Sequence, residues 1–335
     1  MESDVFFVNL WITLKCNFRC RYCYVQEKYK NIDLSRRTAD EFIKFIKKNI
    51  KIKQRLIINF HGGEPTINFD ILKYIVQRLE NEIDNNVDFG ITTNGSLLND
   101  EMVLFISKHC NYNISISMDG MNDTTEMNRK CLYGDGSFEN ISNNALKLLQ
   151  YSKNVRIRMT YDRRNINELS RNICNFIHMG FTNIVPVADY FSKNWSDDDF
   201  KIVELEFKKV KNFINSNNIS NVKIYDISDD YNCLSPCTAG HDYYSIDVLG
   251  NIYPCTLLVG DEEHLLGNIY KGIDFNKLLQ IDEINKKKVD ECSECQLYRF
   301  CKSVRCLFIN YVTEGDYYKP NLVSCNLLNI KHNLC

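Results

Sequence analysis

KCNFRCRYCY, residues 15–24, sets Cys16, Cys20 and Cys23 within eight residues, and the next cysteine along the chain is Cys110. The run before it, DVFFVNLWITL (4–14), is apolar and β-branched and reads as a strand. The three thiols therefore stand where a strand-to-helix loop leaves a sheet. Structural zinc takes four protein ligands, usually as two separated pairs, and one C-x3-C-x2-C run is a poor half of such a site. A 4Fe–4S cluster can be wrapped on three of its irons by one short loop, which leaves the fourth iron open to an exogenous ligand. The spacing points to that second arrangement.

Outward from this loop the chain alternates. Strands are predicted at 4–14, RLIINF (55–60), DFGITT (88–93), NISISM (113–118), VRIRMTY (155–161) and NIVPVA (183–188), each mostly apolar, as for strands buried on both faces. Amphipathic helices are predicted between them. Phe42, Ile43, Ile46 and Ile50 form one stripe, with Thr38 as N-cap and Glu41 closing a capping box. Ile71, Leu72, Ile75, Val76 and Leu79 form another, and Asn99 caps NDEMVLFISKH. SFENISNNALKLLQ, NINELSRNICNFIHM and residues 198–215 continue the series. Six such units argue for a parallel sheet with right-handed crossovers. The pattern fits a doubly wound sheet and an incomplete barrel alike, and both put functional loops at the carboxyl ends of the strands. Past residue 220 helical periodicity fades, turns shorten and cysteines crowd, which places a boundary near 216–225. YSIDVLGNIYPC reads as a hairpin turning at Leu249–Gly250–Asn251.

With 44% hydrophobic residues and a net charge of −2, the chain has an ordinary globular composition and no electrostatic grip for nucleic acid or an anionic membrane. It has no 18-residue apolar run, and its N-terminus lacks a basic region and cleavage site, so it is expected in the cytoplasm with no nucleic-acid or membrane partner. Fifteen cysteines in a chain without an export signal point to metal or redox chemistry rather than disulfides. Cys110, Cys131, Cys174 and Cys335 are scattered and read as buried small hydrophobes or surface thiols.

Three more motifs end predicted strands: HGGEP (61–65), TTNGSLL (92–98) and SMDG (117–120). Singly, each reads as a turn, and GGEP fits a strand-to-helix turn with Pro65 at the first helical position. In order, and together with CNFRCRYC, they resemble the radical S-adenosylmethionine (radical SAM) enzymes. The resemblance implies an α/β fold, a partial (β/α)6 TIM-like barrel over residues 1–220, with a SAM-binding 4Fe–4S cluster on Cys16, Cys20 and Cys23. It implies that Gly62, Gly63, Glu64 and Pro65 line the cofactor, with Glu64 holding its ammonium and the glycines letting backbone approach it. Ser117, with Thr93 or Asn94, would hydrogen-bond the ribose or carboxylate. Arg129, unless it is a surface arginine, would pair with the carboxylate, and the Tyr22 backbone and Val187 would pack the adenine. An electron from the reduced cluster then cleaves SAM to methionine and a 5′-deoxyadenosyl radical that abstracts a substrate hydrogen.

The remaining cysteines run Cys233-x3-Cys237, Gly250-x4-Cys255, Cys292-x2-Cys295-x5-Cys301-x4-Cys306 and Cys325. This is similar to the SPASM domain of radical SAM enzymes that modify peptides and proteins, except that the usual last interval holds three residues rather than four. The resemblance implies a small cysteine-rich SPASM domain over 221–335 with two further fully ligated 4Fe–4S clusters, three in all. Cluster I would use Cys233, Cys237, Cys255 and Cys306, and cluster II Cys292, Cys295, Cys301 and Cys325. A pair of zinc ribbons is the alternative, which the x5 and x4 intervals fit poorly. If Cys233 is not a ligand, cluster I keeps an open corner for a substrate thiolate.

Two activities compete. One is maturation of a ribosomally made peptide by oxidative cross-linking through a thioether, C–C or ether bond, and YPCTLLVGDEEHLLGNIY (253–270) resembles the matching stretch of thioether-forming maturases. The other is oxidation of a sulfatase residue to formylglycine, where an Asp commonly follows the G-x4-C cysteine; here Thr256 follows it. A radical SAM enzyme acting on a small molecule is a further reading, and a non-catalytic iron–sulfur electron carrier is the reading from another class, which has no use for GGEP, TNG or SMDG. The implied partners are a peptide or protein substrate and an electron donor such as flavodoxin or ferredoxin. Strand 1 begins within ten residues of Met1, so leader recognition is expected on the barrel and SPASM surfaces or on a separate leader-peptide-binding protein. Asp119, Glu64, His61 and Tyr24 are candidate proton-transfer groups, and no catalytic base is assigned.

Overall fold

A computed structural model describes residues 4–25, 30–84, 86–132, 138–225, 227 and 237–334. Six parallel strands, β1 (Val5–Thr13), β2 (Arg55–Gly62), β3 (Val87–Thr93), β4 (Asn113–Ser117), β5 (Val155–Tyr161) and β6 (Asn183–Ala188), lie side by side in chain order. The crossovers run through helices Arg36–Asn49, Phe69–Glu82, Asp100–His109, Phe138–Tyr151 and Leu169–His178, and Asp197–Ser216 follows β6. An order without reversal is that of a singly wound, partial barrel; a doubly wound sheet turns back at a switch point.

The barrel does not close. Lys223–Ile224 extends the sheet beyond β6, and at the other edge Tyr243–Ile246 pairs parallel to β1. The expected hairpin follows, with Ser245 opposite Tyr253, Ile246 opposite Ile252 and Gly250 at φ +85° in its turn. Eleven strands thus share one sheet, and the cysteine-rich end of the chain is joined to the barrel through it.

The strands are not apolar on both faces. On β5, Val155, Ile157, Met159 and Tyr161 are buried while Arg156, Arg158 and Thr160 alternate with them. The outward residues join the core under the helices. The inward ones are polar: Asn59 donates to Asn9 at 2.8 Å, Asn9 donates to the Tyr243 hydroxyl at 2.5 Å, and Arg156 donates to Ser115. A barrel that houses a polar ligand needs that alternation, whereas a filled core does not.

Asn99 caps its helix as expected, accepting from the Met102 N–H at 2.9 Å. The first helix starts earlier than expected. Ser35, not Thr38, is the cap and accepts from the Thr38 N–H at 3.1 Å, while Glu41 pairs with Lys44 instead of closing a capping box. Helices also persist past residue 220, at Phe275–Lys286, Leu307–Glu314 and Leu322–Leu334. Their stripe is thin in the sequence because they are short or lightly buried; Phe275–Lys286 buries only Ile281. Among the described residues no helix is long and apolar enough to cross a membrane.

Candidate active site

The cysteine loop is tied down at both ends. Thr13, the last residue of β1, donates its hydroxyl to Asp33 at 2.6 Å, and Lys15 forms an ion pair with the same carboxylate at 2.6 Å. Phe18–Cys20 then pairs antiparallel with Arg129–Cys131, which sets Cys20 opposite Arg129. Asn94 donates to Asn17 at 2.9 Å and Asn17 donates to Ser96 at 2.8 Å, fastening the loop to the turn after β3. Cys16, Cys20 and Cys23 are all partly buried. Burial first, then the Glu64 carboxylate and the neighbouring Cys20 and Cys23, push Cys16 up to about 12. A thiol raised in this way ionises when a bound cation neutralises it.

These residues fit a cluster with three cysteine ligands. Cys20 and Cys23 lie near enough to act on Cys16, the Phe18 N–H points at Cys16 Sγ at 3.4 Å and the Arg129 guanidinium at Cys20 Sγ at 3.9 Å. Arg129 Nε is a buried donor with no protein partner, which suits an anionic ligand. Among the described residues no three His, Cys, Asp or Glu side chains gather tightly enough for a single metal ion.

The GGEP segment packs against the cysteine loop. Gly62 lies at φ +127°, and a Cβ there would stand 2.2 Å from the Thr13 carbonyl oxygen; one on Gly63 would stand 2.1 Å from that of Lys15. The close approach that demands glycine is thus to the cysteine loop's own backbone, with N–H bonds of 2.8 Å from Gly63 to Thr13 and from Glu64 to Lys15. Pro65 opens the short 3-10 helix Pro65–Asn68. Glu64, expected to hold the ammonium, is 1% exposed and turned inward. One oxygen accepts from the Thr66 N–H and hydroxyl and the Thr93 hydroxyl, and the other from the Asn94 N–H at 2.7 Å. Burial raises its pKa and these four bonds oppose the rise. Thr93 and Asn94 are accordingly engaged in fastening β2 to β3 and the loop.

Arg129 is no surface arginine. It is 7% exposed and bonds Asp119 at 2.8 Å, and Asp119 also accepts from the Tyr22 hydroxyl at 2.5 Å. Ser117 is partly buried at the end of β4, in register with Arg158, and Val187 is partly buried on β6 opposite Thr160. His61 Nδ1 accepts the Gly62 N–H at 2.8 Å, which leaves the proton on Nε2, 3.2 Å from the Tyr24 hydroxyl. Burial, and then Arg158, lower the His61 pKa to about 4, while burial raises that of Tyr24. At neutral pH both groups are uncharged.

The C-terminal cysteines fall into two groups. Cys237, Cys255 and Cys306 lie close enough to act on one another, and burial, then Cys306 and Cys237, push Cys255 far up. Cys292, Cys295, Cys301 and Cys325 form the other group: burial raises Cys292, and then the charges of the other three. Cys233 and Cys335 lie outside the described residues. Cys110 is fully buried, and Cys131 and Cys174 are partly buried. Tyr24 feels the charges of both Cys23 and Cys255, so the loop and the first C-terminal group approach each other across it.

A cavity of about 600 Å³ opens at this junction. Its walls include Tyr22 and Cys23 from the loop, Arg164 and Asp189 from the ends of β5 and β6, and Leu257 and Val312 from the C-terminal region. Sequence reasoning assigned nothing to Arg164 or Asp189; their place just past two predicted strands was the available signal.

The sequence model of the Radical SAM superfamily matches residues 12–180. The radical SAM cyclopropyl synthase TigE of Paramaledivibacter caminithermalis is 24% identical over 96% of the chain and 72% of that enzyme. The cysteine-type anaerobic sulfatase-maturating enzyme of Clostridium perfringens is 24% identical over 86% of the chain and 85% of its own length. A 33% identical match to an uncharacterized protein of Methanocaldococcus jannaschii spans 33% of the chain and 38% of that protein. Among solved structures, anSMEcpe with bound AdoMet superposes with a TM-score of 0.78 at 20% identity, covering 98% of the chain and 92% of that one. Streptococcus suis SuiB bound to precursor peptide SuiA gives 0.69 at 16% identity, covering 96% and 76%. With its thiol loop at the end of β1, its singly wound partial barrel and its cysteine-rich end, the chain belongs to the radical SAM superfamily of enzymes, and it is similar over most of its length to a cyclopropyl synthase and to a sulfatase-maturating enzyme.

Proposed function

We propose that this enzyme modifies a peptide, joining two of its positions by an oxidative cross-link. The observation that carries the proposal is the cavity at the junction, because its walls come from the cysteine loop, the strand ends and the C-terminal region together. Its volume lies in the range of about 300–1,000 Å³ usual for a bound small molecule, room for a side chain and its neighbours. SuiB, the neighbour bound to a precursor peptide, supports a peptide substrate.

When bound, SAM and its cluster supply reductive cleavage of the sulfonium and hydrogen abstraction. Cys16, Cys20 and Cys23 hold that cluster, and Arg129 Nε offers a donor to the cofactor's carboxylate. Ser117, Val187, the Tyr22 backbone and the segment Gly62, Gly63, Glu64 and Pro65 would line the cofactor with Thr93 and Asn94, while Gly63 and Glu64 also fasten to Thr13 and Lys15 and Thr93 and Asn94 fasten to Glu64. Cys237, Cys255 and Cys306 with Cys233, and the set Cys292, Cys295, Cys301 and Cys325, would hold two auxiliary clusters, whose chemistry is electron acceptance. A flavodoxin or ferredoxin supplies the electron, in the cytoplasm, where thiols stay reduced.

Formylglycine formation is the second reading, supported by the sulfatase-maturating relative. Thr256 stands where an Asp commonly follows that cysteine in sulfatase-maturating enzymes, which favours the cross-link. Anaerobic incubation with SAM, dithionite and candidate peptides tests both. The cross-link predicts 5′-deoxyadenosine and a peptide lighter by two hydrogens. Conversion of a sulfatase-derived cysteine peptide to formylglycine would replace this reading with the second.

A further inference from the structure

Among the described residues Arg129 is the only buried arginine or lysine. The ribbon register fixes it opposite Cys20. Its Nη2 donates to Asp119 Oδ1 at 2.8 Å, its Nη1 points at Cys20 Sγ at 3.9 Å, and the guanidinium lies over the Tyr22 ring at 5.4 Å. Asp119 is fully buried, and its charge is further spread by the Tyr22 hydroxyl at 2.5 Å and the Thr160 N–H at 2.9 Å. A fixed cation therefore faces one of the three loop sulfurs, backed by an anion that is itself well solvated by hydrogen bonds. Inside a protein such charges act more strongly than in water.

We infer that Arg129 is a positioning residue that sets the reduction potential of the cluster held by Cys16, Cys20 and Cys23, acting through Cys20, with Asp119 as the opposing charge. This rests on the radical SAM reading of that loop. An electron from an external donor adds one negative charge to the cluster and no proton. A guanidinium beside a ligating sulfur favours the more negative state and raises the potential, and a carboxylate behind it holds the rise in check. The role is separate from any contact of Arg129 Nε with the cofactor, because it needs no SAM.

The test is an anaerobic redox titration of the iron-reconstituted full chain without SAM, followed by electron paramagnetic resonance. The signal of interest is the one that disappears in Cys20→Ala. In Arg129→Gln the ratio of reduced to oxidised cluster at the wild-type midpoint should fall about tenfold, a lowering of about 59 mV for a one-electron couple. In Asp119→Asn the ratio should rise. A loosened fold cannot move two variants in opposite directions. Unchanged potentials, or shifts of the same sign, overturn the inference. Should Arg129→Gln fail to take up iron, Asp119→Asn decides alone, and no rise overturns it. A wild-type protein with no signal lost in Cys20→Ala would instead remove the cluster reading beneath it.

Discussion

The loop after β1 and the cysteine-rich end of the chain both gather thiols, but by different means. In the loop, backbone does the holding: Gly63 and Glu64 bond to Thr13 and Lys15, and Phe18–Cys20 pairs with Arg129–Cys131. The sheet and its buried core stand behind those bonds. At the far end, Cys292 ends one short helical turn, Cys295 and Cys301 flank the next, Tyr298–Phe300, and Cys325 lies near the start of Leu322–Leu334; Cys295 and Cys325 are exposed. The first site is therefore held by the fold's own hydrogen bonds, whereas the last thiols are more exposed. With the auxiliary clusters proposed above, metal ligation would add to the folding free energy of the C-terminal region.

The two regions should diverge most on deleting a thiol from each. Cys23→Ala should abolish 5′-deoxyadenosine formation. Cys295→Ala should leave SAM cleavage measurable while the modified peptide disappears. Equal loss of 5′-deoxyadenosine from both would erase the contrast. Iron removal comes next. Anaerobic chelation should speed amide exchange in Leu307–Glu314 and Leu322–Leu334 by about tenfold or more while β1–β6 stay protected, read by mass spectrometry. Matching protection in both regions would show that the C-terminal region holds itself together.

Smaller effects probe the loop alone. Gly63→Ala forces a Cβ to within 2.1 Å of the Lys15 carbonyl, which is backbone and cannot swing aside. A loss of about 1–3 kcal/mol in denaturant unfolding is expected, together with reduced iron uptake at the loop. An unchanged midpoint would mean that the loop gives way freely.

The smallest effect is one of pH. His61 has its pKa lowered from 6.5 to about 4 in the folded barrel, so below pH 6.5 the unfolded chain takes up a proton that the folded one refuses. Stability from this group is full above pH 6.5 and is lost as pH falls towards 4, by about 1.4 kcal/mol per unit. His61→Gln should flatten that slope between pH 6.5 and 5.5, and an unaltered slope would place the titrating group elsewhere.

Much of this architecture was legible because its signals are local. The β-branched runs, the Asn99 cap and the turn at Gly250 each depend on neighbours a few residues away. The polar inner face was also written in VRIRMTY and NISISM, where apolar and polar residues alternate. Apolar residues still dominate the runs at 4–14, 55–60 and 183–188, and that dominance suggested burial on both faces. The Ser35 cap was missed because Thr38 and Glu41 spell the same motif three residues later.

The six strand-and-helix units, the thiol loop at the end of the first, and the cysteine spacings beyond residue 220 were all fixed in the order of the residues. What the polar side chains at the strand ends do was settled by folding alone. Glu64 turns inward to Thr93 and Asn94, and Arg129 closes on Asp119 and on Cys20, a partner 109 residues away. Periodicity and capping are short-range properties of the chain. The partner of a buried charge is chosen by the desolvation cost of leaving it alone, and that cost exists only once the sheet has brought distant loops together.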